Sequence, residues 1–245
     1  MPFVFAKSKP KADSTPRENN IEVAAASNAP VIVSVSENAL SNIYDSLRLN
    51  LMGLSQQAFQ YAMHGFDYLV KAGKITNDRI ISIVDFSQPS NKKRLFVIDL
   101  DKYKVVFNTY VAHGVNSGKE YAEEFSNRPE SNQSSLGFYE TLDTYNGKNG
   151  YSLHLQGLEK GINDNADSRA IVMHGADYVC EKLIESQGYI GRSWGCPAVP
   201  EKLHRPIINT IKNGTCLFIY SPDKNYLIHS AILKEAESMA YNNTN

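Results

Sequence analysis

The feature that most constrains the fold is a change in the spacing of apolar residues near position 75. Between residues 37 and 74, apolar side chains recur three and four positions apart, which is the pattern of an amphipathic helix. From residue 79 onward they cluster in short runs rich in β-branched and aromatic residues, with turn-forming residues between the runs. This change predicts a helical part followed by a mainly β part.

The helical part is predicted to contain two helices. Gly53 interrupts the helical period, Ser55 is a good N-cap for a second helix, and Gly73 is a suitable stop. We therefore expect a helical hairpin over residues 37–76, which packs either on the following domain or on a partner. The chain before it is rich in Lys, Pro, Ser, Asn and Ala without an apolar period, which predicts a disordered leader or linker over residues 1–36.

Seven β-rich runs and two helical segments form the predicted second domain, residues 77–234, which is mainly β in an α+β arrangement. A tight connection at residues 101–104 predicts that residues 94–111 form an antiparallel hairpin. The tail over residues 235–245 is polar and expected to be frayed. The β runs cover residues 80–86, 94–100, 105–111, 136–142, 151–158, 170–173 and 215–220, and the helices cover residues 177–186 and 201–212.

Composition argues against several classes of function. The 25 basic and 26 acidic residues nearly cancel, so the chain lacks the positive charge that nucleic-acid binding needs. No apolar run approaches the roughly 18 residues of a membrane-spanning helix, so no transmembrane segment is expected. Three cysteines without a Cys-x-x-Cys pair predict at least one free thiol, not a disulfide framework or a zinc ribbon. Of these, Cys180 in a helix and Cys216 in a strand are expected to be buried and inert.

Residues 191–198 combine small, rigid and reactive side chains in one loop. Gly195 allows the backbone to approach a ligand, and Pro197 fixes φ directly after Cys196, so the thiol is presented on a stiff turn. His174 ends an apolar β run, and an imidazole near a thiol can take its proton. This pattern predicts a cysteine nucleophile with a histidine base. The residues alone also allow an incidental cysteine in a glycine-rich loop and a hydrogen-bonded core histidine.

The two motifs, His-Gly at residues 174–175 and Ser-Trp-Gly-Cys at residues 193–196, resemble the signature of the murein L,D-transpeptidase catalytic domain (YkuD-like). The likeness covers residues 95–220, with further matches at residues 111–114 and 134–139. The resemblance implies a β-sandwich or barrel catalytic domain with two short helices, preceded here by the helical hairpin. It also implies a Cys/His pair assisted by a backbone carbonyl, a peptidoglycan stem peptide as substrate, and neither a metal nor another cofactor.

The mechanism implied by the resemblance is acyl transfer. Cys196 attacks the carbonyl of the third stem residue and expels the terminal D-alanine, and the resulting thioester passes to an amine, with His174 as general base and acid. Backbone N–H groups near the cysteine would bind the oxyanion. The oxyanion-hole and supporting candidates are Ser193, Trp194, Gly195 and Gly175, and the substrate-contact candidates are Arg192, His113 and Tyr139.

Two positions depart from the commoner family pattern, since Trp194 stands where many members have His and Ala198 where many have Arg. Substrate contacts are therefore expected to differ. Arg192 either binds a carboxylate or is a solvated loop arginine, and Tyr139 either covers the site or packs within the β domain. Trimming or amide hydrolysis of the same substrate is the alternative to cross-linking, and the acceptor is left open.

Three other readings compete with this one. Residues 191–195 match the Gly-x-Ser-x-Gly elbow of serine hydrolases, with Asp223 and His229 behind them, but prolines follow where that motif needs a helix. A non-catalytic peptidoglycan-binding module is the second alternative. A metallopeptidase is the third, although no ligand spacing supports it. Its candidate ligands are His113, His154, His174 and Asp177.

The location of the protein is predicted from the chemistry. Action on peptidoglycan requires export, so the resemblance implies the bacterial cell envelope, either periplasmic or secreted. The first residues of the chain lack the basic and apolar regions of a clear signal peptide. Neither the oligomeric state nor the role of the helical part follows from the sequence.

Overall fold

The computed structural model describes residues 37–242, so the leader predicted over residues 1–36 lies outside the described part of the chain. The strands are β1 (Ile80–Asp85), β2 (Leu95–Asp99), β3 (Lys104–Thr109), β4 (Gly137–Gly147), β5 (Gly150–Gly157), β6 (Val172–Ala176), β7 (Ala198–Pro200) and β8 (Cys216–Tyr220). The helices are α1 (Glu37–Ser46), α2 (Leu49–Met52), α3 (Gln56–Lys71), α4 (Glu181–Gln187), α5 (His204–Ile211), α6 (Lys224–His229) and α7 (Ala231–Asn242).

The strands form one sheet in the order β3-β2-β1-β8-β4-β5-β6-β7, which curls into a nearly closed barrel. Pairing is parallel between β1 and β8 and between β6 and β7, and antiparallel elsewhere, including the predicted β2–β3 hairpin. Just beyond β3, Ala112 N donates to Ala198 O of β7 at 2.8 Å, so the two edges of the sheet meet at a seam. The prediction of a mainly β barrel is confirmed. The three-residue β7 was not predicted.

The predicted helix boundary at Ser55 is confirmed, because its side chain caps α3 by accepting a hydrogen bond from Ala58 N. The apolar face of α3 packs against β1 and β8 and shares the core of the barrel. Gly65 lies so close to Phe138 of β4 that a Cβ there would come within 2.1 Å of its ring. The helical part therefore packs on the β domain, while the domain boundary between residues 76 and 77 stays a prediction. No helix within residues 37–242 is long and apolar enough to cross a membrane.

The C-terminal segment differs from the frayed polar tail expected from residue 235. Helix α7 runs to residue 242 and packs against α3, with Ile232, Leu233 and Ala236 buried. Its start is anchored by the buried carboxylate of Glu159, which accepts hydrogen bonds from Ser230 Oγ and, at 3.0 Å, from Tyr226 Oη. The short apolar stripe of α7 was overlooked because polar residues surround it.

Candidate active site

The turn that carries Cys196 is closed by the side chain of Ser193. Ser193 Oγ donates to Cys196 O at 2.6 Å and accepts from the N–H of Gly195 at 3.1 Å. Gly195 has a φ of 119°, and a Cβ there would lie 2.7 Å from Gln133 O. Glycine suits this position because it alone tolerates both the positive φ and the close approach. The turn therefore holds the thiol in one defined place.

Backbone contacts anchor this turn at the seam of the barrel. Ser193 N donates to His113 O at 2.9 Å, and Ser193 O accepts a second backbone hydrogen bond from the same segment at 2.7 Å. Two residues after Cys196 the chain enters β7, where Ala198 bridges to Ala112. The turn is thus fixed on both sides by paired backbone.

Strand β6 places His174 beside this segment. The parallel pairing of β6 and β7 sets His174 opposite Ala198, two positions after Cys196. Cys196 is 8% exposed, and its thiol donates to Ala170 O at 3.7 Å. No hydrogen bond within the described residues joins the thiol to the imidazole. The two predicted residues are thus brought to one edge of the barrel without a direct bond in the free protein, a geometry that often tightens only when substrate binds.

The imidazole of His174 is oriented by its neighbour. Nδ1 lies 2.8 Å from Gly175 O, and because a carbonyl only accepts, Nδ1 carries the proton and Nε2 is the basic nitrogen. Burial lowers the pKa of His174 and raises the pKa of Cys196. The resting pair is therefore a neutral imidazole and a neutral thiol, not an ion pair.

Two residues near His174 were not singled out from the sequence. A Cβ on Gly175 would lie 2.6 Å from Glu201 Oε2 and 2.7 Å from His204 Nδ1, so this glycine lets both side chains approach β6. His204 Nδ1 donates to Glu201 O at 2.5 Å. After burial, which lowers the pKa of His174, and the hydrogen bond to Gly175 O, which raises it, the charge of Glu201 raises this pKa and that of His204 lowers it. The pairing of β6 with β7 brings these neighbours to His174. This pairing was not predicted, because a strand of three residues leaves too little pattern in the sequence.

The backbone donors of the turn are not equally available. The N–H of Gly195 is already used by Ser193, so Gly195 is not the oxyanion donor that the sequence predicted. Across residues 37–242, no hydrogen bond uses the N–H of Trp194 or of Cys196. The side chain of Trp194 is 74% exposed. The turn therefore offers two free N–H groups and a solvent-facing indole next to the thiol.

Two further side chains lie near the thiol without having been marked by any motif. Arg169 Nη2 is 3.4 Å from the position of a Cβ on Gly195. Burial raises the pKa of Cys196, whereas a backbone hydrogen bond from Val172 and, next, the positive charge of Arg169 lower it. The pKa of Tyr178 is raised to about 12, first by burial and next by the charge of Cys196. Both flank β6, and only the tertiary structure brings them to the thiol.

Comparison with known families decides the identity of this domain. Residues 51–220, more than half of the chain, match the L,D-transpeptidase catalytic domain. The chain belongs to the L,D-transpeptidase catalytic domain family. No curated protein matches it.

Solved structures of L,D-transpeptidases are similar at a distance. The enzyme from Mycobacterium smegmatis matches with 11% identity and a TM-score of 0.36, over 58% of this chain and 59% of that chain. A mutant of the helical cell shape determining protein Pgp2 from Campylobacter jejuni matches with 14% identity and a TM-score of 0.42, over 75% and 62%. A mutant of the Enterococcus faecium L,D-transpeptidase matches with 14% identity and a TM-score of 0.36, over 58% and 50%. The chain thus spans half to about three-fifths of the length of these structures.

Within this L,D-transpeptidase domain, His113 is not placed to contact substrate. It is fully buried, with Nδ1 accepting from Arg94 Nη2 at 2.7 Å and Nε2 facing Gly118 O at 3.4 Å. Burial and, next, the charge of Arg94 lower the pKa of His113 to about 3. Its predicted substrate contact is wrong, because a neighbouring cation and a carbonyl occupy both ring nitrogens.

Tyr139 and Arg192, the other predicted substrate contacts, differ from one another. Tyr139 is fully buried in β4, where its hydroxyl donates to Ser135 O at 3.0 Å, so its predicted contact with substrate is wrong and the packing alternative holds. Arg192 is partly exposed, donates to Gly118 O at 3.0 Å and lies 5.7 Å from the ring centre of Tyr189. Its contact with substrate stays a prediction.

The catalytic triad that the serine-hydrolase alternative requires is not formed in the L,D-transpeptidase domain. The hydroxyl of Ser193 serves the turn, and Asp223 caps α6 by accepting from Tyr226 N at 2.7 Å. His229 Nδ1 lies 2.8 Å from Asn225 O in the same helix. The three residues of the proposed triad are thus engaged locally and not with one another.

The metallopeptidase alternative also fails on geometry. His154 Nδ1 pairs with Asp143 Oδ1 at 3.0 Å, and its ring stacks on Tyr145 with centroids 4.4 Å apart. In the described part of the chain, no three His, Cys, Asp or Glu side chains lie close enough together to hold a metal ion.

The two cysteines outside the site have different surroundings. Cys216 is fully buried in β8, as predicted, and burial raises its pKa. Cys180 is half-buried and precedes α4 as its N-cap residue, with extended φ and ψ of −148° and 154°. The expectation that Cys180 lies buried within the helix is wrong, because α4 starts four residues later than predicted, at Glu181 and not at Asp177.

Proposed function

We propose that this protein is a peptidoglycan L,D-transpeptidase in which Cys196 is the nucleophile and His174 the general base. The observation that carries the proposal is that only one ring nitrogen of His174, Nδ1, is hydrogen-bonded within residues 37–242. Gly175 O holds Nδ1–H at 2.8 Å, which leaves the basic Nε2 on an imidazole at the same barrel edge as the thiol. That arrangement suits a base that takes a proton only when the nucleophile attacks.

The first half-reaction starts from the neutral pair. As Cys196 Sγ bonds to the carbonyl carbon of the third stem residue, a diamino acid, Nε2 of His174 takes the thiol proton. The free N–H groups of Trp194 and Cys196 are the donors for the oxyanion. When the tetrahedral intermediate collapses, the C–N bond breaks, the imidazolium gives its proton to the leaving D-alanine, and a thioester remains.

The second half-reaction transfers the acyl group to an amine. The side-chain amine of another stem attacks the thioester, and His174 takes a proton from the attacking nitrogen and returns one to the departing thiolate. The product is a 3→3 cross-link and the free thiol. Water in place of the amine gives an L,D-carboxypeptidase on the same acyl-enzyme. Because the substrate is wall peptidoglycan, the proposal includes a cell-envelope location, periplasmic or secreted.

Intact-mass spectrometry tests the acyl-enzyme. The protein is incubated with a carbapenem and, separately, with a disaccharide tetrapeptide, and adducts and released D-alanine are measured. We expect an adduct on Cys196 and D-alanine release, both lost in Cys196→Ala and retained in the matched control Cys180→Ala. Absence of adduct and turnover across pH under reducing conditions would reject the enzyme and favour a peptidoglycan-binding module.

The product distinguishes the two acyl acceptors. With an added amine acceptor, a transpeptidase yields the cross-linked dimer, whereas a carboxypeptidase yields only the tripeptide and D-alanine. A dimer fraction that rises with acceptor concentration supports transpeptidation. If the tripeptide were the sole product at saturating acceptor, the enzyme would be a carboxypeptidase and the proposed transpeptidation would be rejected.

Trp194 provides a direct test of substrate binding, because it is the one tryptophan of the chain and its side chain is 74% exposed two residues from Cys196. Titration of Cys196→Ala with the disaccharide tetrapeptide should shift its emission to shorter wavelength and reduce acrylamide quenching, since a bound ligand removes water from the indole. Unchanged emission at saturating ligand would place the substrate away from this turn. The matched control is free D-alanine, which should leave the spectrum unchanged.

A further inference from the structure

The guanidinium of Arg169 has an unusual set of partners. It is half-buried, and Nη1 donates to Ser126 O at 2.8 Å and to Ser135 Oγ at 2.5 Å. Nη2 donates to Gln133 O at 2.8 Å and to Ser131 Oγ at 3.1 Å. All four acceptors are neutral oxygens of one segment, residues 126–135. No carboxylate in residues 37–242 forms an ion pair with Arg169, so its charge is not neutralised there.

This unpaired cation lies against the nucleophile turn. Nη2 is 3.4 Å from where a Cβ on Gly195 would stand, and Gln133 O, which it binds, would lie 2.7 Å from the same position. Arg169 therefore holds the wall formed by residues 126–135 directly against the turn that presents Cys196.

The backbone of the next residue, Ala170, also contacts the nucleophile. Ala170 has a φ of 53°, a conformation that is unfavourable for a residue with a Cβ. Its carbonyl is the acceptor for the thiol of Cys196 at 3.7 Å. The carbonyl of Ala170 thus lies against the sulfur, and the preceding side chain brings a cation to Gly195, the neighbour of Cys196 in the chain.

The remaining titratable groups near the thiol do not supply a positive charge at neutral pH. His174 has a pKa that burial lowers, and Tyr178 has a pKa raised to about 12, so both are neutral there. Against the effect of burial, a backbone hydrogen bond from Val172 lowers the pKa of Cys196, and among the described residues Arg169 is the one charged group that lowers it further. A thiol removed from water needs such a cation when it becomes a thiolate.

We infer that Arg169 is a positioning residue for acyl transfer, which holds the wall of residues 126–135 against the nucleophile turn and supplies the positive charge that stabilises the Cys196 thiolate. This inference rests on the proposed function for its role in turnover. Its effect on the thiol is independent of any substrate. The two can therefore be tested separately.

The test measures the rate of Cys196 alkylation by iodoacetamide against pH, in the full chain carrying Cys180→Ala, with adducts mapped by peptide mass. Arg169→Gln should lower the rate at pH 7 by about tenfold and move the midpoint of the profile to higher pH. The plateau at high pH, where the thiol is fully ionised, should be unchanged because access to sulfur is unchanged. Arg169→Lys, which keeps the charge, should restore most of the rate.

The control is Arg128→Gln, an exposed arginine of the same segment, which should leave the profile unchanged. An unchanged midpoint in Arg169→Gln, or equal losses in the Lys and Gln variants, would overturn the charge role. A lower plateau in the Gln variant with the wild-type midpoint also overturns it and assigns Arg169 to loop structure alone. Thermal unfolding of each variant verifies that the profiles come from folded protein.

Turnover extends the test to catalysis. Arg169→Gln should lower kcat for D-alanine release by about ten- to a hundredfold, with a smaller change in KM, since the cation acts on the attacking sulfur. If the wild type releases no D-alanine, the proposed function fails while the alkylation profile still decides the role of Arg169. If KM alone rises, Arg169 contacts substrate and the inference is overturned.

Discussion

Two His-Gly pairs in this chain look alike in sequence and differ in the folded protein. His113-Gly114 follows a predicted β run after one intervening residue, Ala112, and His174-Gly175 follows another directly. In the first pair, Arg94 and Gly118 O occupy both ring nitrogens, and the pKa falls to about 3. In the second pair, a carbonyl holds one nitrogen, and no side chain or backbone group of residues 37–242 forms a hydrogen bond with the other. The difference shows that the partners of a histidine, and not its local motif, determine whether it can accept a proton.

The largest expected effect comes from removing the histidine with the free nitrogen. His174→Ala should lower kcat/KM for D-alanine release by about 10²–10⁴-fold, the usual contribution of a general base. The melting temperature should fall less than in His113→Ala, because the side chain of His174 makes one hydrogen bond and that of His113 makes two. A variant that retained more than a tenth of wild-type activity would mean that another group takes the proton.

The first histidine should show the opposite pattern. His113→Ala should lower the free energy of unfolding by about 2–4 kcal/mol, since it leaves a cavity and deprives the buried guanidinium of Arg94 of an acceptor. Urea unfolding measures the loss, and D-alanine release by the remaining folded protein should fall much less than in His174→Ala. If His113→Ala were stable and inactive, the assigned roles of the two histidines would be reversed.

The glycines of the two pairs extend the comparison to the backbone. A Cβ on Gly114 would lie 2.4 Å from Asn132 O, a backbone atom that cannot turn aside, whereas a Cβ on Gly175 meets the side chains of Glu201 and His204. We expect Gly114→Ala to destabilise by about 2–3 kcal/mol and Gly175→Ala by about 1 kcal/mol. Gly175→Ala should still reduce kcat, because displaced Glu201 and His204 border the base. Equal losses of stability in urea would contradict this distinction.

The most gradual effect is a slope of stability with pH. The pKa of His113 is about 3 in the folded protein against an ordinary value of 6.5, so below pH 6.5 the unfolded chain binds a proton that the folded chain does not. Stability should therefore fall as pH drops from 6.5 toward 3, by about 1.4 kcal/mol per pH unit from this residue. His113→Gln should remove this share of the slope. A slope identical to that of wild type would show that the pKa of His113 is not lowered in the folded protein.

Local chemistry made much of the fold predictable. Ser55 as a cap and Gly53 as a helix break are read from backbone requirements that depend on few neighbours. The three-residue β7 and the apolar stripe of α7 were missed, because each is defined by what it packs against. Short segments carry too little periodic signal to reveal such partners.

The candidate site was predictable where chemistry follows a motif. Cys196 and His174 were found through their motifs, and the structure brings both to one barrel edge. Arg169 was not found, since its partners lie in residues 126–135 and at Gly195, far from it in the chain. His113 was misassigned because its role depends on Arg94, which a different strand brings to it.

The seam at Ala112 and Ala198 has a consequence for the timing of reactivity. The turn of Cys196 is anchored to the two strand ends that meet there, and these ends are far apart along the chain. Contacts of such long range are slow to form, because the entropy of closing the intervening loop must first be overcome. A partly folded chain therefore has a cysteine but no aligned base or oxyanion donors. Closure of the barrel therefore completes the catalytic site, because it is the step that brings the base and the oxyanion donors to the thiol.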